Sequence, residues 1–193
     1  MKAVIVAVLR WALVRVALVE ARLYHLVGGI TAVATLVPKL SRPQLIPVLR
    51  RYGATVGKAC DLCSSIRIHN PKRDFANLTI GDHVHLGPDT FLDLTGPIEI
   101  GDRATISMRC TILTHIDVGA SPLEGLGFPP KAEAVFIGSG AYLGANCTVL
   151  MGTRIGREAV IGAGSLVRGE IECRVVAVGN PARVARLVGP PAS

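Results

Sequence analysis

Aliphatic residues recur every six positions through the middle and later parts of the chain. In most repeats a small or slim residue stands four positions after the aliphatic one, and glycine directly follows seven of the aliphatic residues. The twelve aliphatic positions are Ile80, Leu86, Leu92, Ile100, Ile106, Ile112, Ile137, Leu143, Val149, Ile155, Ile161 and Val167. Self-similarity at a fixed short period is typical of a solenoid, and here it indicates a hexapeptide repeat.

A period of six matches neither the 3.6-residue period of a helix nor simple two-residue alternation. It fits a short flat strand followed by a tight turn that glycine can make without a steric penalty. Three such sides close one triangular coil, and successive coils stack through parallel ladders about 4.8 Å apart. The predicted fold class is therefore all-β, a parallel β-helix whose aliphatic residues fill the interior.

The repeat is interrupted twice, and both interruptions are predicted to be excursions out of the coil. Two extra residues separate Leu92 from Ile100, and a long loop, 116–134, separates Ile112 from Ile137. Long loops on a rigid solenoid are frequent sites of binding and catalysis. His115 directly precedes the long loop, so the coil can position it while the loop folds over it. A neutral imidazole can accept a proton from a hydroxyl, which makes His115 a candidate general base.

The N-terminal part of the chain differs from the solenoid in both hydropathy and charge. Residues 1–52 are predicted to form an apolar, basic helical segment, residues 53–180 the β-helix domain, and residues 181–193 a C-terminal tail. The net charge is +7, yet residues 1–73 hold twelve Lys and Arg against Glu20 and Asp61, while the remainder holds nine against twelve acidic residues. The basic character therefore belongs to the N-terminal third.

Two interpretations of this segment stay open. The apolar helix can pack on the solenoid or on a sister subunit, as apolar stripes usually do. It can instead lie in an anionic membrane surface. Basic residues just behind it would then meet lipid headgroups: Lys39, Arg42, Arg50 and Arg51. A membrane span is disfavoured because Arg10, Arg15, Glu20 and Arg22 interrupt the apolar run. A cleaved signal peptide is disfavoured because no convincing cleavage site follows the run. The expected location is cytoplasmic, with possible attachment to the inner face of the membrane.

Cysteines and histidines do not indicate a metal site or disulfide framework. The chain has five scattered cysteines, and Cys60, Cys110 and Cys147 occupy small-residue positions of the repeat, as expected of free core thiols. His83 and His85 flank Val84, which is predicted to point inward, so both histidines should point outward at a coil corner. No bound metal is expected.

From about Leu78 to Leu187 the sequence resembles the hexapeptide-repeat acyltransferases, in particular the maltose and galactoside O-acetyltransferases and the polysaccharide O-acetyltransferases. The resemblance rests on the repeats, on LTH before a long loop, on IGSGAYLGANCTV and IGAGSLV, and on the closing GNPARVAR. It implies a left-handed β-helix that assembles as a homotrimer, with acetyl-CoA as co-substrate in a groove between subunits.

The resemblance also assigns roles by position. It makes His115 the catalytic base and places the amide of Ala145 where it would stabilise the oxyanion of the tetrahedral intermediate. The positions matched to cofactor binding are Tyr142, Gly144, Ala163, Gly164, Arg168 and Arg183. Asp93 and Glu124 are candidates for contact with the acceptor.

The resulting hypothesis is an acetyl-CoA-dependent O-acetyltransferase. It would act on a hydroxyl of a saccharide, a polysaccharide or a lipid-linked sugar, by direct transfer assisted by histidine. The expected partners are a saccharide or glycolipid acceptor and two further copies of the chain, and no nucleic acid. The alternatives are an amino-sugar N-acetyltransferase and a non-catalytic or zinc-binding β-helix scaffold.

Overall fold

The computed structural model of the chain describes residues 2–189, with side chains from Val4 onward. Two helices precede the strands, α1 (Lys2–Leu36) and α2 (Arg42–Arg51), separated by a 3₁₀ turn at Val37–Lys39. A second 3₁₀ segment, Pro122–Leu126, lies in the long loop.

Twenty short strands follow the helices. They are β1 (Thr55–Val56), β2 (Asp61–Leu62), β3 (Arg67–His69), β4 (Leu78–Ile80), β5 (His85–Leu86), β6 (Phe91–Asp93), β7 (Ile98–Ile100), β8 (Thr105–Ile106), β9 (Thr111–Ile112), β10 (His115–Ile116), β11 (Lys131–Ala132), β12 (Val135–Ile137), β13 (Tyr142–Leu143), β14 (Thr148–Val149), β15 (Arg154–Ile155), β16 (Val160–Ile161), β17 (Leu166–Val167), β18 (Glu170–Ile171), β19 (Val175–Gly179) and β20 (Ala182–Leu187).

Three sheets form the sides of a triangular solenoid, and the chain visits them in turn. Sheet A has the order β1-β4-β7-β12-β15-β18, sheet B the order β2-β5-β8-β13-β16-β19-β20, and sheet C the order β3-β6-β9-β14-β17. Neighbouring strands within each sheet are parallel, except β20, which returns antiparallel to β19. The predicted left-handed parallel β-helix is confirmed, with about six turns.

The repeat positions behave as the hydropathy pattern predicts. All twelve aliphatic residues are buried, as are the small residues four positions later. Leu143 pairs in register with Ile106 on one side and Ile161 on the other, so the interior is a continuous aliphatic column. The solenoid starts one coil earlier than the recognised repeat, because Val56, Leu62 and Ile68 are buried in β1, β2 and β3.

The glycine of the repeat is required for a different reason from the one predicted. The turn residue with positive φ stands two positions later, for example Asn146 at φ 59° after Gly144. At Gly144 itself, an added Cβ would lie 2.5 Å from the amide nitrogen of Ala163 in the next coil. The glycine therefore permits close stacking of successive coils, and the left-handed turn residue follows it.

The two interruptions differ in structure. The first is a lengthened turn rather than an excursion, because Leu94 and Gly96 are both buried. The second is a true excursion: β10 and β11 pair antiparallel, and the 3₁₀ segment lies near the tip. His115 is the first residue of this hairpin and pairs with Ala132.

The N-terminal helical segment has two parts that differ in burial. Helix α1 breaks at Gly28 and Gly29, and Gly29 has φ 63° and ψ −157°, a region essentially restricted to glycine. Beyond the break, Val33 and Leu36 are buried, as are Leu45 and Val48 of α2. Before it, twelve large apolar side chains between Val4 and Val27 are exposed. None of the helices in the described part of the chain has the length and apolar composition needed to cross a membrane.

The C-terminal segment is not a free tail. Residues 182–187 form β20 on the last coil of sheet B, while residues 190–193 lie outside the described residues.

Candidate active site

A histidine–aspartate pair lies where the chain leaves the solenoid. Nδ1 of His115 lies 2.6 Å from Oδ2 of Asp93, which is in the coil below. The Asp93 side chain is 1% exposed and the His115 side chain 28% exposed. The carboxylate is therefore enclosed behind the ring, and the imidazole forms the accessible surface of the pair.

Asp93 is held by donors from three successive coils of the solenoid. Oδ2 accepts the amide of Thr114 at 2.9 Å, and Oδ1 accepts the hydroxyl of Thr95 at 2.8 Å and the side-chain amide of Asn70 at 3.3 Å. Burial raises the pKa of Asp93, but the hydrogen bonds from His115, Thr114 and Thr95 together outweigh it and lower the pKa from 3.8 to about 2. Asp93 is therefore a carboxylate at neutral pH.

This carboxylate fixes the tautomer of a neutral His115. Since the Asp93 carboxylate is an acceptor only, the neutral ring places its proton on Nδ1 and its lone pair on Nε2. Nε2 makes no hydrogen bond to any residue within 2–189. The arrangement can accept a proton at Nε2 and stabilise the resulting imidazolium through Asp93.

The structure does not agree with the expectation that Asp93 contacts the acceptor directly. Its carboxylate is buried and its polar contacts are with the protein, so it cannot face an incoming molecule directly. Sequence analysis missed the partnership with His115 and the supporting residues Thr95 and Thr114. The signal was present: Asp93 lies directly after Leu92 and His115 three residues after Ile112, and these two repeat positions are neighbours in sheet C.

The predicted cofactor residues form a second group at another corner of the triangle. Tyr142 is in β13, and Gly144 and Ala145 form the turn from sheet B to sheet C. The next coil repeats this turn with Ala163 and Gly164, and the Gly164 amide donates to the Ala145 carbonyl at 2.8 Å. The Ala145 amide donates to no backbone carbonyl within residues 2–189. This corner presents small residues and an available amide.

The two arginines matched to phosphate binding lie at different corners. Arg183 in β20 pairs with Val178 of β19, whose side chain lies against Gly162, so Arg183 is close to the small-residue corner. Arg168 follows β17 of sheet C and is exposed at the same corner as His115, two coils further on.

Within one protomer, therefore, the structure does not bring all predicted site residues together. His115 lies at the corner between sheets C and A, whereas Ala145 lies at the corner between sheets B and C. Glu124 is exposed in the 3₁₀ segment of the hairpin and forms no ion pair with any described residue. A site that combines the histidine with the small-residue corner needs a second copy of the chain.

A cleft beside His115 could accommodate an acceptor. It has a volume of about 700 Å³ and lies between the end of α1 and sheet C. Its polar and aromatic lining includes Arg67, His69, Asn70, Lys72, Phe91 and Thr95. Thr95 connects this cleft to the histidine–aspartate pair, because its Oγ1 lies 3.2 Å from Nδ1 of His115, although His115 and Asp93 are not part of the lining.

One cluster of potential metal ligands lies elsewhere. Asp61, Cys63 and His85 each place one ligand atom within 4.8 Å of the others. The guanidinium of Arg42 contacts two of them, with Nη1 2.9 Å from Asp61 and Nη2 3.1 Å from Cys63. Because Arg42 already neutralises this group and ties α2 to the first coil, we assign it a structural role.

Comparisons with known proteins agree with the fold and the repeat. The family model described as hexapeptide repeat of succinyl-transferase matches residues 134–168. The chain is 33% identical over 139 residues to the putative colanic acid biosynthesis acetyltransferase WcaF of Escherichia coli (strain K12), covering 72% of each chain. It is also 33% identical over 116 residues to the putative lipopolysaccharide biosynthesis O-acetyl transferase WbbJ of the same strain, covering 56% of each.

Solved structures support the same assignment. The maltose O-acetyltransferase from Clostridium difficile 630 superposes with a TM-score of 0.67 at 26% identity, covering 94% of this chain and 89% of that one. A point mutant of AntD, an N-acyltransferase from Bacillus cereus, in complex with dTDP and coenzyme A, shares the fold alone, with a TM-score of 0.56 at 21% identity, covering 70% of this chain and 84% of that one. On its sequence, its solenoid and these relatives, the chain belongs to the hexapeptide-repeat acyltransferase family and is an acyltransferase.

Proposed function

We propose that the chain is an acetyl-CoA-dependent O-acetyltransferase that acts on a saccharide hydroxyl, in a polysaccharide or a lipid-linked sugar. The proposal rests on the pairing of a buried Asp93 with a partly exposed His115 at the base of the hairpin, where Oδ2 of Asp93 lies 2.6 Å from Nδ1 of His115. This pair is suited to removing a proton from a neutral hydroxyl near neutral pH.

The reaction needs one proton transfer in each direction. Nε2 of His115 takes the hydroxyl proton as the oxygen attacks the carbonyl carbon of the acetyl thioester. The amide of Ala145 stabilises the oxyanion of the tetrahedral intermediate, and Asp93 stabilises the imidazolium. The carbon–sulfur bond then breaks, and the imidazolium returns its proton to the departing thiolate. The products are the acetyl ester and free coenzyme A, without an acyl-enzyme.

The small-residue corner fits the co-substrate. Gly144 is buried, Ala145 is half-buried, and Ala163 and Gly164 are exposed, so the surface of this corner carries only small residues along which an extended pantetheine arm could lie across two coils. Tyr142 is 43% exposed beside them, and Arg183 supplies a cation for the nucleotide phosphates. Because this corner is remote from His115 within a protomer, acetyl-CoA would bind between neighbours of a homotrimer, with Arg168 on the side that carries His115.

The relatives favour a saccharide as acceptor. Colanic acid, lipopolysaccharide and maltose appear in the names of three acetyltransferases that this chain resembles. The cleft beside His115 agrees with such an acceptor, because its lining includes the rings of His69 and Phe91, whose centroids lie 5.6 Å apart and which can contact the apolar face of a sugar ring. Glu124 on the hairpin stays a candidate for acceptor contact.

The proposal is tested by turnover of acetyl-CoA with a panel of saccharides and surface-glycan fractions. Release of the coenzyme A thiol gives the rate, and lability of the product to hydroxylamine separates an ester from an amide. His115→Ala should lower turnover by about 10² to 10⁴ while leaving binding of coenzyme A near normal. His83→Ala is the matched control, because His83 is an exposed histidine at another coil corner. Parent-like turnover by His115→Ala, or an exclusively amide product, would overturn the proposal.

A further inference from the structure

A basic cavity lies between the helices and the first long turn of the solenoid, and it shares no lining residue with the cleft beside His115. Its volume is about 800 Å³. Arg15, Arg22 and His25 line it from α1, Arg51 from the end of α2, and Arg73 from the turn between β3 and β4. We refer to these five residues as the basic cluster.

The protein supplies little negative charge to the basic cluster. Asp74 is the one acidic residue in the lining, and its carboxylate accepts the Ala76 amide at 2.9 Å. Within residues 2–189, no ion pair involves any of the four arginines. Glu20 lies on the opposite side of α1, since it is five residues from Arg15 and two from Arg22. Four guanidinium groups around one cavity repel each other, and a bound anion would offset that repulsion.

The guanidinium groups match phosphate better than a carboxylate of the protein. Arginine presents paired donors that bind phosphate oxygens in a bidentate manner, and it is weakly hydrated. The walls of the cavity are also fixed: the Tyr52 ring packs between His25 and Phe75, with centroid distances of 5.4 Å and 6.2 Å. Phe75 is fully buried, so the turn that carries Arg73 is anchored in the solenoid.

The cavity adjoins the most apolar exposed surface of the molecule. Val19 and Leu26 line the cavity and are 61% and 72% exposed. One helical turn before Arg15, Trp11 is 61% exposed, and the Arg15 guanidinium lies 5.0 Å from its ring centroid. A helix that lies at a lipid–water boundary typically has an exposed apolar face that includes aromatic residues and is flanked by basic side chains.

Two arginines expected to meet headgroups are already used by the fold. Arg42 pairs with Asp61, and Arg50 donates to the carbonyls of Val56 and Gly57 at 2.6 Å and 2.9 Å. Arg51 is exposed and belongs to the basic cluster instead. Of the four basic residues expected to meet headgroups, Arg51 therefore belongs to the cavity and Lys39 stays exposed outside it, so most of the free basic charge in the described part of the N-terminal segment lies around the cavity.

We propose that the basic cluster binds the phosphate group of a membrane lipid with net negative charge while the exposed apolar part of α1 lies in the interface. Charge complementarity selects the phosphate, and the adjoining apolar surface selects a lipid over a soluble phosphate. The inference does not depend on the proposed reaction, because it concerns residues outside the Asp93–His115 pair and the small-residue corner.

The test is sedimentation of the full chain with vesicles of phosphatidylcholine alone and of an equal mixture with phosphatidylglycerol. Arg51→Gln with Arg73→Gln removes two charges outside α1 and leaves the apolar surface intact. Arg103→Gln with Arg109→Gln removes the same charge from exposed solenoid positions and is the matched control. Binding to the mixed vesicles should fall about tenfold or more for the cavity variant and little for the control. Binding to phosphatidylcholine should be the same for all three proteins.

The alternatives give different results. An equal loss in both double variants would assign binding to net charge and overturn the cavity site. If titration with inorganic diphosphate gives cavity-dependent binding but vesicles give none, the ligand is a soluble phosphate and the lipid proposal fails. If the parent binds neither vesicles nor diphosphate, the lipid proposal fails. If α1 is then also protected from protease only in the oligomer, the helix packs against a second copy of the chain. Equal melting temperatures of the double variants establish that each still folds.

Discussion

At the residue scale, the Asp93–His115 pair defines what the site can do. Sequence analysis identified His115 from its place before the long loop, but it assigned Asp93 to the acceptor. The burial of Asp93 could not be foreseen, because the two-residue interruption was expected to leave the coil. Instead Leu94 and Gly96 turn inward, and the Gly96 amide donates to Oγ1 of Thr114 at 2.9 Å, which closes the turn around the carboxylate.

Replacing Asp93 by Asn should impair catalysis while His115 stays in place. An amide cannot stabilise the imidazolium, and its NH₂ group can favour the tautomer with the proton on Nε2, which is unable to act as a base. We expect turnover to fall about 10²-fold or more, with little change in KM for acetyl-CoA. Steady-state kinetics check this, with Glu99→Gln, an exposed carboxyl on β7, as control. Unchanged turnover would mean that Asp93 serves only the fold.

The same substitution should change how stability depends on pH. A carboxyl with a pKa of 3.8 in the unfolded chain and about 2 in the folded protein favours the folded state above the unfolded pKa. This contribution, on the order of 2 kcal/mol, is complete near neutral pH and is lost as the pH falls through about 4 towards 2. The difference in unfolding free energy between parent and Asp93→Asn should therefore shrink as the pH falls from 6 to 2. Circular dichroism in denaturant measures it, and a difference independent of pH would contradict the ionised, hydrogen-bonded carboxylate.

At the element scale, the coils were predictable and their interruptions only partly so. Few folds are compatible with a six-residue period, because each aliphatic position must reach the interior and each small residue must fit a corner of the coil. The repeat predicted the strands on the solenoid sides from β4 to β17, and the predicted domain start at residue 53 included the first coil. The long turn after His69, where Phe75, a bulky aromatic residue, is buried in the core, was not predicted. The spacing of aliphatic residues does not predict the path of a turn that is longer than the others.

The long interruption shows the same limit. Its position was clear from the sequence, but the pairing of His115 with Ala132 depends on contacts across sixteen intervening residues. The apolar side chains of this hairpin, among them Leu126 at 72% and Phe128 at 50% exposure, find no cover within the protomer. Such exposed apolar side chains would be covered if the hairpin contacted a neighbouring subunit of the proposed homotrimer.

At the scale of the whole molecule, the site residues predicted from the resemblance divide into two groups. The corner with His115 and the corner with Ala145 are separated by sheet C in every coil. The sequence resemblance assigned both groups to one site and implied that this site lies in a groove between subunits of a homotrimer. A trimer resolves this, because threefold symmetry can place one corner of each protomer against the other corner of its neighbour.

Mixed trimers of two inactive variants should recover activity if the site is shared. His115→Ala removes the base, and Ala163→Trp blocks the small-residue corner at an exposed position where a bulky side chain does not disturb the core. Each pure variant should be inactive. The two variants are co-expressed with different tags, and trimers that carry both tags are isolated. An interface in such a trimer is active when the Ala163→Trp chain supplies the histidine and the His115→Ala chain supplies the open corner. Random pairing makes this true for about a quarter of interfaces before selection for both tags, so a comparable fraction of parent activity should return. If each site lies within one protomer, every site carries one lesion and the mixture stays as inactive as its components.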